Sequence, residues 1–196
     1  MAVSAKARYQ AALALVALAV GCSNNPPVAE WQQNAFDSLQ VFQQLYLRGD
    51  TQGAESEFKR ARMELTSTGR TELVARAELI RCAAQVASLV FEPCKGFEAL
   101  QKDAGTEERA YAAYLEGRGP HSATNEPFSR LVGYGVQMRT ASIDPQGIAN
   151  AVEISSSQGW RRPLLAWLGV QLKRAEQAGD SETAARLKRR IELVSG

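Results

Sequence analysis

The chain has 196 residues, of which 45% are hydrophobic and 22% are charged. That length and apolar content suffice for a single domain with its own core. Its 23 basic and 21 acidic side chains nearly cancel, which excludes the strongly basic balance typical of nucleic-acid-binding domains. The sequence therefore predicts one folded domain and no nucleic-acid partner.

The N-terminus has the pattern of a secretory signal peptide. Lys6 and Arg8 precede an apolar run over residues 11–20, which ends in small residues. A positive flank, a short apolar segment and a small-residue cleavage site characterise such a peptide. The run is shorter than the roughly 20 apolar residues that a membrane-spanning helix needs. We therefore expect residues 1–21 to be removed.

A cysteine follows the expected cleavage site. Ala19-Val-Gly-Cys22 resembles the lipobox of bacterial lipoproteins, although Ala19 replaces the commoner leucine. The resemblance implies thioether lipidation of Cys22, cleavage before it and acylation of the new amino group, and two or more acyl chains anchor a protein stably. Ser23 follows the cysteine, which by the sorting rule of that family implies the outer membrane, facing the periplasm. The alternative is an ordinary signal peptide that leaves Cys22 as a free thiol.

The pattern of residues 28–196 predicts a succession of α-helices. Residues 23–27 form a short linker between Cys22 and this helical region. Apolar residues at three- and four-residue steps predict an amphipathic helix from Val28 to Gly49. Asp50 can cap a second helix. A third helix is predicted over residues 72–89, and because it is apolar on nearly every side, we expect it to be central and buried. Similar patterns continue to Val194. We expect an all-α domain of about seven to eight helices in antiparallel hairpins.

One hairpin resembles the middle of a tetratricopeptide repeat, because a Gly-Asp turn is followed by small, aromatic and small residues at that family's spacings. The matching residues are Gly49, Asp50, Ala54, Phe58 and Ala61. Ser38 and Thr66 depart from the tryptophan and proline that the family prefers, and only one later turn, at Gly179-Asp180, echoes the match. The resemblance implies an irregular α-solenoid that presents a surface to a partner. The alternative is a helical bundle with common hairpin turns.

Cys82 and Cys94 are the cysteines that follow Cys22. In an oxidising compartment such a pair indicates a disulfide first. Their Cα atoms must come within about 7 Å, yet a helix continuing to Phe91 would carry the chain about 13 Å away. The bond therefore requires the helix to end early, near Ala87, or the chain to fold back through Glu92-Pro93. The alternative is two buried apolar thiols.

The sequence offers little to catalysis or metal binding. His121 is the only histidine and lies in the irregular, polar stretch 117–127, without the orienting partner that a catalytic base usually has. Neither an HExxH nor a CxxC spacing of zinc ligands occurs. We therefore expect no enzyme, no cofactor and no metal site.

A candidate partner-binding patch lies at Trp160, Arg161 and Arg162, between Gly159 and Pro163. Tryptophan and arginine are enriched in the hot spots of protein interfaces. Arginine at the start of a helix also interacts unfavourably with the helix dipole. This suggests that the arginines are there for a reason other than the stability of that helix. The alternative is a tryptophan packed under the preceding turn beside solvated arginines.

A second basic patch lies near the C-terminus. With a short tether, such a patch can face anionic lipid head groups. The alternative is the solvated face of a terminal helix. The patch consists of Arg186, Lys188, Arg189 and Arg190.

Together these patterns favour a lipid-anchored helical interaction module of the bacterial envelope, with an envelope protein as its partner and no catalysis. Two other functions stay open. One is a structural envelope lipoprotein without a dedicated partner. The other is an envelope protein that binds a small ligand or acts as an enzyme.

Overall fold

The computed structural model describes residues 28–120 and 124–196 and contains only α-helices as regular elements in those ranges. This confirms the all-α class, with nine helices in the described ranges where about seven to eight were expected. None of these helices is long and apolar enough to cross a membrane. The helices are α1 Glu30–Arg48, α2 Thr51–Thr66, α3 Thr71–Ala87, α4 Lys95–Glu98, α5 Thr106–Leu115, α6 Pro127–Arg139, α7 Pro145–Ser157, α8 Arg161–Gln177 and α9 Ser181–Ser195.

The α1–α2 hairpin is built around the predicted Gly-Asp turn. Gly49 adopts the left-handed conformation, with φ of 98°. The Asp50 amide donates to the carbonyl of Leu45 at 2.9 Å, and the Gly49 amide donates to that of Tyr46 at 3.1 Å, which is the Schellman pattern of a helix end. The Asp50 carboxylate then accepts from the Gly53 amide at 2.8 Å. Asp50 therefore caps α2, as predicted.

Helix α3 lies between two hydrophobic cores. The first core joins α1, α2 and one face of α3, where Val74, Ala77 and Ala84 are buried against residues such as Phe42. The second core joins other positions of α3 to α4–α9 and includes Trp167, which is fully buried. The expectation of a central helix that is apolar on nearly every side is therefore confirmed.

The chain reverses sharply after α3. The helix ends at Ala87, two residues before the predicted position 89. The Val90 amide donates to the carbonyl of Gln85 at 2.9 Å, and Leu89 adopts φ of 60°, so that a leucine takes the left-handed position usually given to glycine. The indole of Trp167 donates to the Ala87 carbonyl at 3.1 Å. The second core thus fixes the end of α3.

Close contact between α3 and α6 depends on Gly135. A Cβ atom at this position would collide with the backbone carbonyl of Val86. A glycine in the interior of a helix weakens that helix. The structure shows that Gly135 also permits the two helices to approach, because a side chain there would hold them apart.

Helix α8 contacts α7 and α9 and also packs against α1. It begins at Arg161, whereas the preference of proline for the first helical position would place the start at Pro163. Pro163 fits inside the first turn because its missing N–H would have no intrahelical partner there. Helix α4 is a single turn that ends at Glu98.

We expect Gly135→Ala to lower the free energy of unfolding by about 1–3 kcal/mol, the usual cost of forcing extra atoms into a packed interior. Gly169→Ala is the matched control. Gly169 is exposed within α8 and has open space around its Cα, so the same substitution should stabilise the protein by up to about 1 kcal/mol. Urea unfolding followed by far-UV circular dichroism measures both. Equal stabilisation by the two substitutions would contradict the close approach of α3 and α6.

Candidate functional site

Cys82 and Cys94 form the disulfide pair that the sequence predicted. Their sulfur atoms lie at bonding distance, and their Cα atoms are 5.9 Å apart, within the range that a disulfide requires. Cys82 is buried on α3, and Cys94 immediately precedes α4. The early end of α3 at Ala87 allows the chain to return, which is one of the two geometries that the sequence left open.

A groove of about 830 Å³ opens beside this disulfide. Its walls come from α2 and α3, and its third side comes from residues 92–96, which the disulfide holds against α3. Side chains of both charges line it. They include the carboxylates of Glu55, Glu78 and Glu92 and the cations of Lys59, Arg62 and Arg81.

Glu78 is the buried charge of the groove. Its side chain is only 7% exposed, and one carboxylate oxygen accepts from Arg62 Nε at 3.0 Å. A buried carboxylate is costly unless it is paired, so this bond from α2 to α3 helps to fix the wall of the groove. Gly96 lies directly against the carboxylate, because a Cβ atom there would collide with it. The residues after the disulfide therefore cover Glu78.

Arg81 is fixed by two contacts on the same wall. Its Nη2 atom lies 3.1 Å from Glu55 Oε1, and its guanidinium lies 5.0 Å from the centre of the Phe58 ring. Both partners belong to α2, and stacking on an aromatic face orients a guanidinium. The groove therefore presents charges of both signs in set positions, an arrangement suited to binding a polar segment of both charges.

Within residues 28–120 and 124–196, no group of three or more His, Cys, Asp or Glu side chains is placed to hold a metal ion. His121 and the proposed lipidation site Cys22 both lie outside the described residues.

Arg162, from the predicted partner-binding patch, is engaged within the protein. Its Nε atom donates to the Tyr46 carbonyl at 2.7 Å, and its Nη2 atom donates to Thr51 Oγ1 at 2.6 Å. The guanidinium also lies 4.3 Å from the centre of the Tyr46 ring. Burial raises the pKa of the Tyr46 phenol, and the charge of Arg162 opposes that rise.

The contact explains why arginine stands at the start of α8. A cation is unfavourable at the N-terminus of a helix and favourable at the C-terminus. Arg162 reaches the C-terminal end of α1, where the carbonyl of Tyr46 accepts a hydrogen bond from its guanidinium. The interaction with α1 offsets the unfavourable position on α8, so Arg162 joins the two helices.

The other two residues of the patch have different environments. Trp160 is half-buried and meets the ring of Phe128 edge-on, with centroids 6.3 Å apart. It packs against both cores. Arg161 is exposed. Binding of a partner at Trp160, Arg161 and Arg162 stays a prediction, and Arg161 is the residue with the most accessible side chain.

Comparison with protein-family models, with curated proteins and with solved structures finds no significant match for this chain.

We expect Arg162→Ala to lower the free energy of unfolding by about 1.5–3 kcal/mol, the contribution of hydrogen bonds to charged groups. Arg161→Ala removes the same charge from the neighbouring, exposed position. This variant should change the free energy of unfolding by no more than about 0.5 kcal/mol. Chemical unfolding of the two variants measures the difference. Similar values for both would show that the contact with Tyr46 does not hold α8 against α1.

Removal of the disulfide should also destabilise the protein. The bond closes a loop of 12 residues, for which chain entropy predicts a loss of about 3 kcal/mol. We expect the Cys82→Ala, Cys94→Ala double variant to show this loss in urea unfolding. Dithiothreitol should weaken the unsubstituted protein by a similar amount and leave the double variant unchanged. A reductant that frees both thiols without shifting the unfolding midpoint would refute the prediction.

Proposed function

We propose that the chain is a lipid-anchored interaction module of the bacterial cell envelope, held through Cys22 at the periplasmic face of the outer membrane. The observation that carries this proposal is the disulfide pair beside the charged groove. Disulfides persist in oxidising compartments, so the pairing of Cys82 with Cys94 supports the export that the signal-peptide pattern predicts. The lipobox resemblance supports the anchor.

The groove supports binding of a protein segment. Arg62 and Arg81 are each paired with a glutamate and keep part of their side chains exposed, 46% and 34% respectively. Charges at the edge of an interface give specificity and speed association more than they raise affinity. The partner that fits is a polar segment whose acidic and basic groups match those of the groove.

The groove is also preorganised. The Arg62–Glu78 and Arg81–Glu55 ion pairs join α2 to α3, and the disulfide fixes the residues that close the third side. A surface that is ordered before binding avoids the entropic cost of ordering it in the complex. Such preorganisation is suited to the recognition of a partner segment. Arg161 provides a second accessible contact point on α8.

The anchor is tested by labelling with radioactive palmitate in native cells. We expect the full-length chain to incorporate label and to fractionate with the outer membrane. Cys22→Ala should abolish both, because the thioether has no acceptor sulfur. Label in the Cys22→Ala variant, or a soluble, unlabelled parent protein, would refute the lipidation.

The partner surface is tested by placing a photo-crosslinking residue, p-benzoylphenylalanine, at Lys59 or Arg161 of the full-length chain in native cells. Glu153, exposed on α7 and outside the groove, is the control position. We expect one envelope protein to crosslink from Lys59 and not from Glu153, and less efficiently in the Cys22→Ala background.

A charge-reversed Lys59→Glu chain, crosslinked from Arg161, distinguishes the two surfaces. Loss of the crosslink would show that a single partner spans both surfaces. Crosslinks that are equal at Lys59 and Glu153, or absent at both Lys59 and Arg161, would overturn the interaction module. A structural envelope lipoprotein without a dedicated partner would then be favoured.

A further inference from the structure

A separate cleft of about 580 Å³ lies among α7, α8 and α9. Three arginines line it, Arg174 from α8 and Arg186 and Arg190 from α9. Arg186 and Arg190 are four residues apart and therefore share one face of α9, where two like charges repel. Repulsion of this kind destabilises a helix slightly, which suggests that the cleft uses the charges.

The charges of the cleft are only partly balanced. Asp180 is the one acid in its lining, and its carboxylate caps α9 by accepting from the Thr183 amide at 3.0 Å. Arg186 donates to Thr183 Oγ1 at 3.2 Å and Arg190 donates to Ser156 Oγ at 3.3 Å. These acceptors are neutral hydroxyls. Within residues 28–120 and 124–196, no ion pair includes any of these three arginines.

The rest of α9 behaves differently. Lys188 forms an ion pair with Glu176 at 2.9 Å, and Arg189 is exposed outside the cleft. The basic patch that the sequence indicated is therefore divided by the structure. Arg186 and Arg190 line the cleft with Arg174, whereas Lys188 and Arg189 do not.

The floor of the cleft is apolar. Ile148 from α7, Ala175 from α8 and Leu187 from α9 line it and are buried in the second core. Ligand sites commonly combine an apolar lining with a few placed polar groups in a volume of about 300–1,000 Å³. The cleft has this size and this composition.

We propose that this cleft binds a phosphomonoester that carries a small apolar group. Three guanidiniums and one carboxylate leave a net charge that a dianion balances, and a phosphomonoester has a charge of about −1.5 to −2 at neutral pH. Guanidinium donates paired hydrogen bonds that match phosphate oxygens. The apolar group of the ligand would contact Ile148 and Leu187 on the floor.

Phospholipid head groups also contain phosphate, but there the phosphate is a phosphodiester. A phosphodiester carries a single negative charge and would leave part of the positive charge of the cleft unbalanced. The charge of the cleft therefore favours the monoester. A ligand with a single charge and the same apolar group should bind more weakly, and salt should weaken the binding of both because it screens the arginines.

The test is a titration of the full-length chain in neutral detergent with phenyl phosphate, followed by calorimetry at pH 7.5. Phenyl sulfate is the ligand control because it has the same ring and one charge. The test variant is Arg174→Gln with Arg186→Gln. Its matched control is Lys173→Gln with Arg189→Gln, which removes one charge from each of the same two helices at exposed positions outside the cleft.

We expect saturable binding of phenyl phosphate, weakened about tenfold or more in the test variant because charge-assisted hydrogen bonds are lost. The control variant should bind within about twofold of the unsubstituted chain, because Lys173 and Arg189 lie outside the cleft and salt screens charges that act through solvent. Circular dichroism and unfolding midpoints establish that both variants are folded. Absent binding, equal weakening in the two variants or equal affinity for phenyl sulfate would overturn the proposal.

A competition arm distinguishes the two sources of phosphate. In the same detergent, mixed micelles that contain phosphatidylglycerol should displace phenyl phosphate no better than mixed micelles that contain phosphatidylcholine. Selective displacement by phosphatidylglycerol that is lost in the test variant would assign the cleft to a phospholipid head group and overturn the monoester. The outcome is independent of the partner experiments at Lys59 and Arg161, because the cleft shares no residue with the groove.

Discussion

The burial of α3 between two cores is the constraint on which the rest of the structure depends. Its alanines are small enough for other helices to approach closely, and Ala75, Ala84 and Ala87 have no exposed surface. Alanine buries little apolar area itself, so most of the gain comes from the larger neighbours that it admits. Phe42 on one side and Trp167 on the other are both fully buried. One helix therefore contributes side chains to the interiors of both groups of helices.

The end of α3 determines where the charged groove forms. The reversal at Leu89 returns the chain to α3, so that Cys94 reaches Cys82 and Gly96 reaches Glu78. A leucine at positive φ carries some backbone strain. The side chain of Leu89 is half-buried against the second core, and this packing offsets the strain. The position of the groove thus follows from the length of one helix and from the bond that fixes the returning segment.

The sequence predicted the features that local chemistry determines. The capping role of Asp50, the glycine turn before it and the pairing of Cys82 with Cys94 depend on residues close together along the chain. The contact of Arg162 with Tyr46 spans 116 residues, and no local pattern reveals it. Glu78 did have a local signal, because it interrupts an apolar helix, but its partner Arg62 lies on a different helix. Periodicity identifies a helical face without identifying the helix that covers it.

The same long-range contact bears on the two arrangements that the sequence left open. In a solenoid each repeat contacts only its neighbours, and the packing of α1 against α2 and α3 agrees with that pattern. The packing of α1 against α8 does not, since these helices are distant in sequence, and Arg162 joins them directly. A chain whose first and eighth helices meet leaves less room for an open concave surface. This favours a bundle, and it favours the groove beside the disulfide over the inside of an arc as the binding surface for the proposed partner.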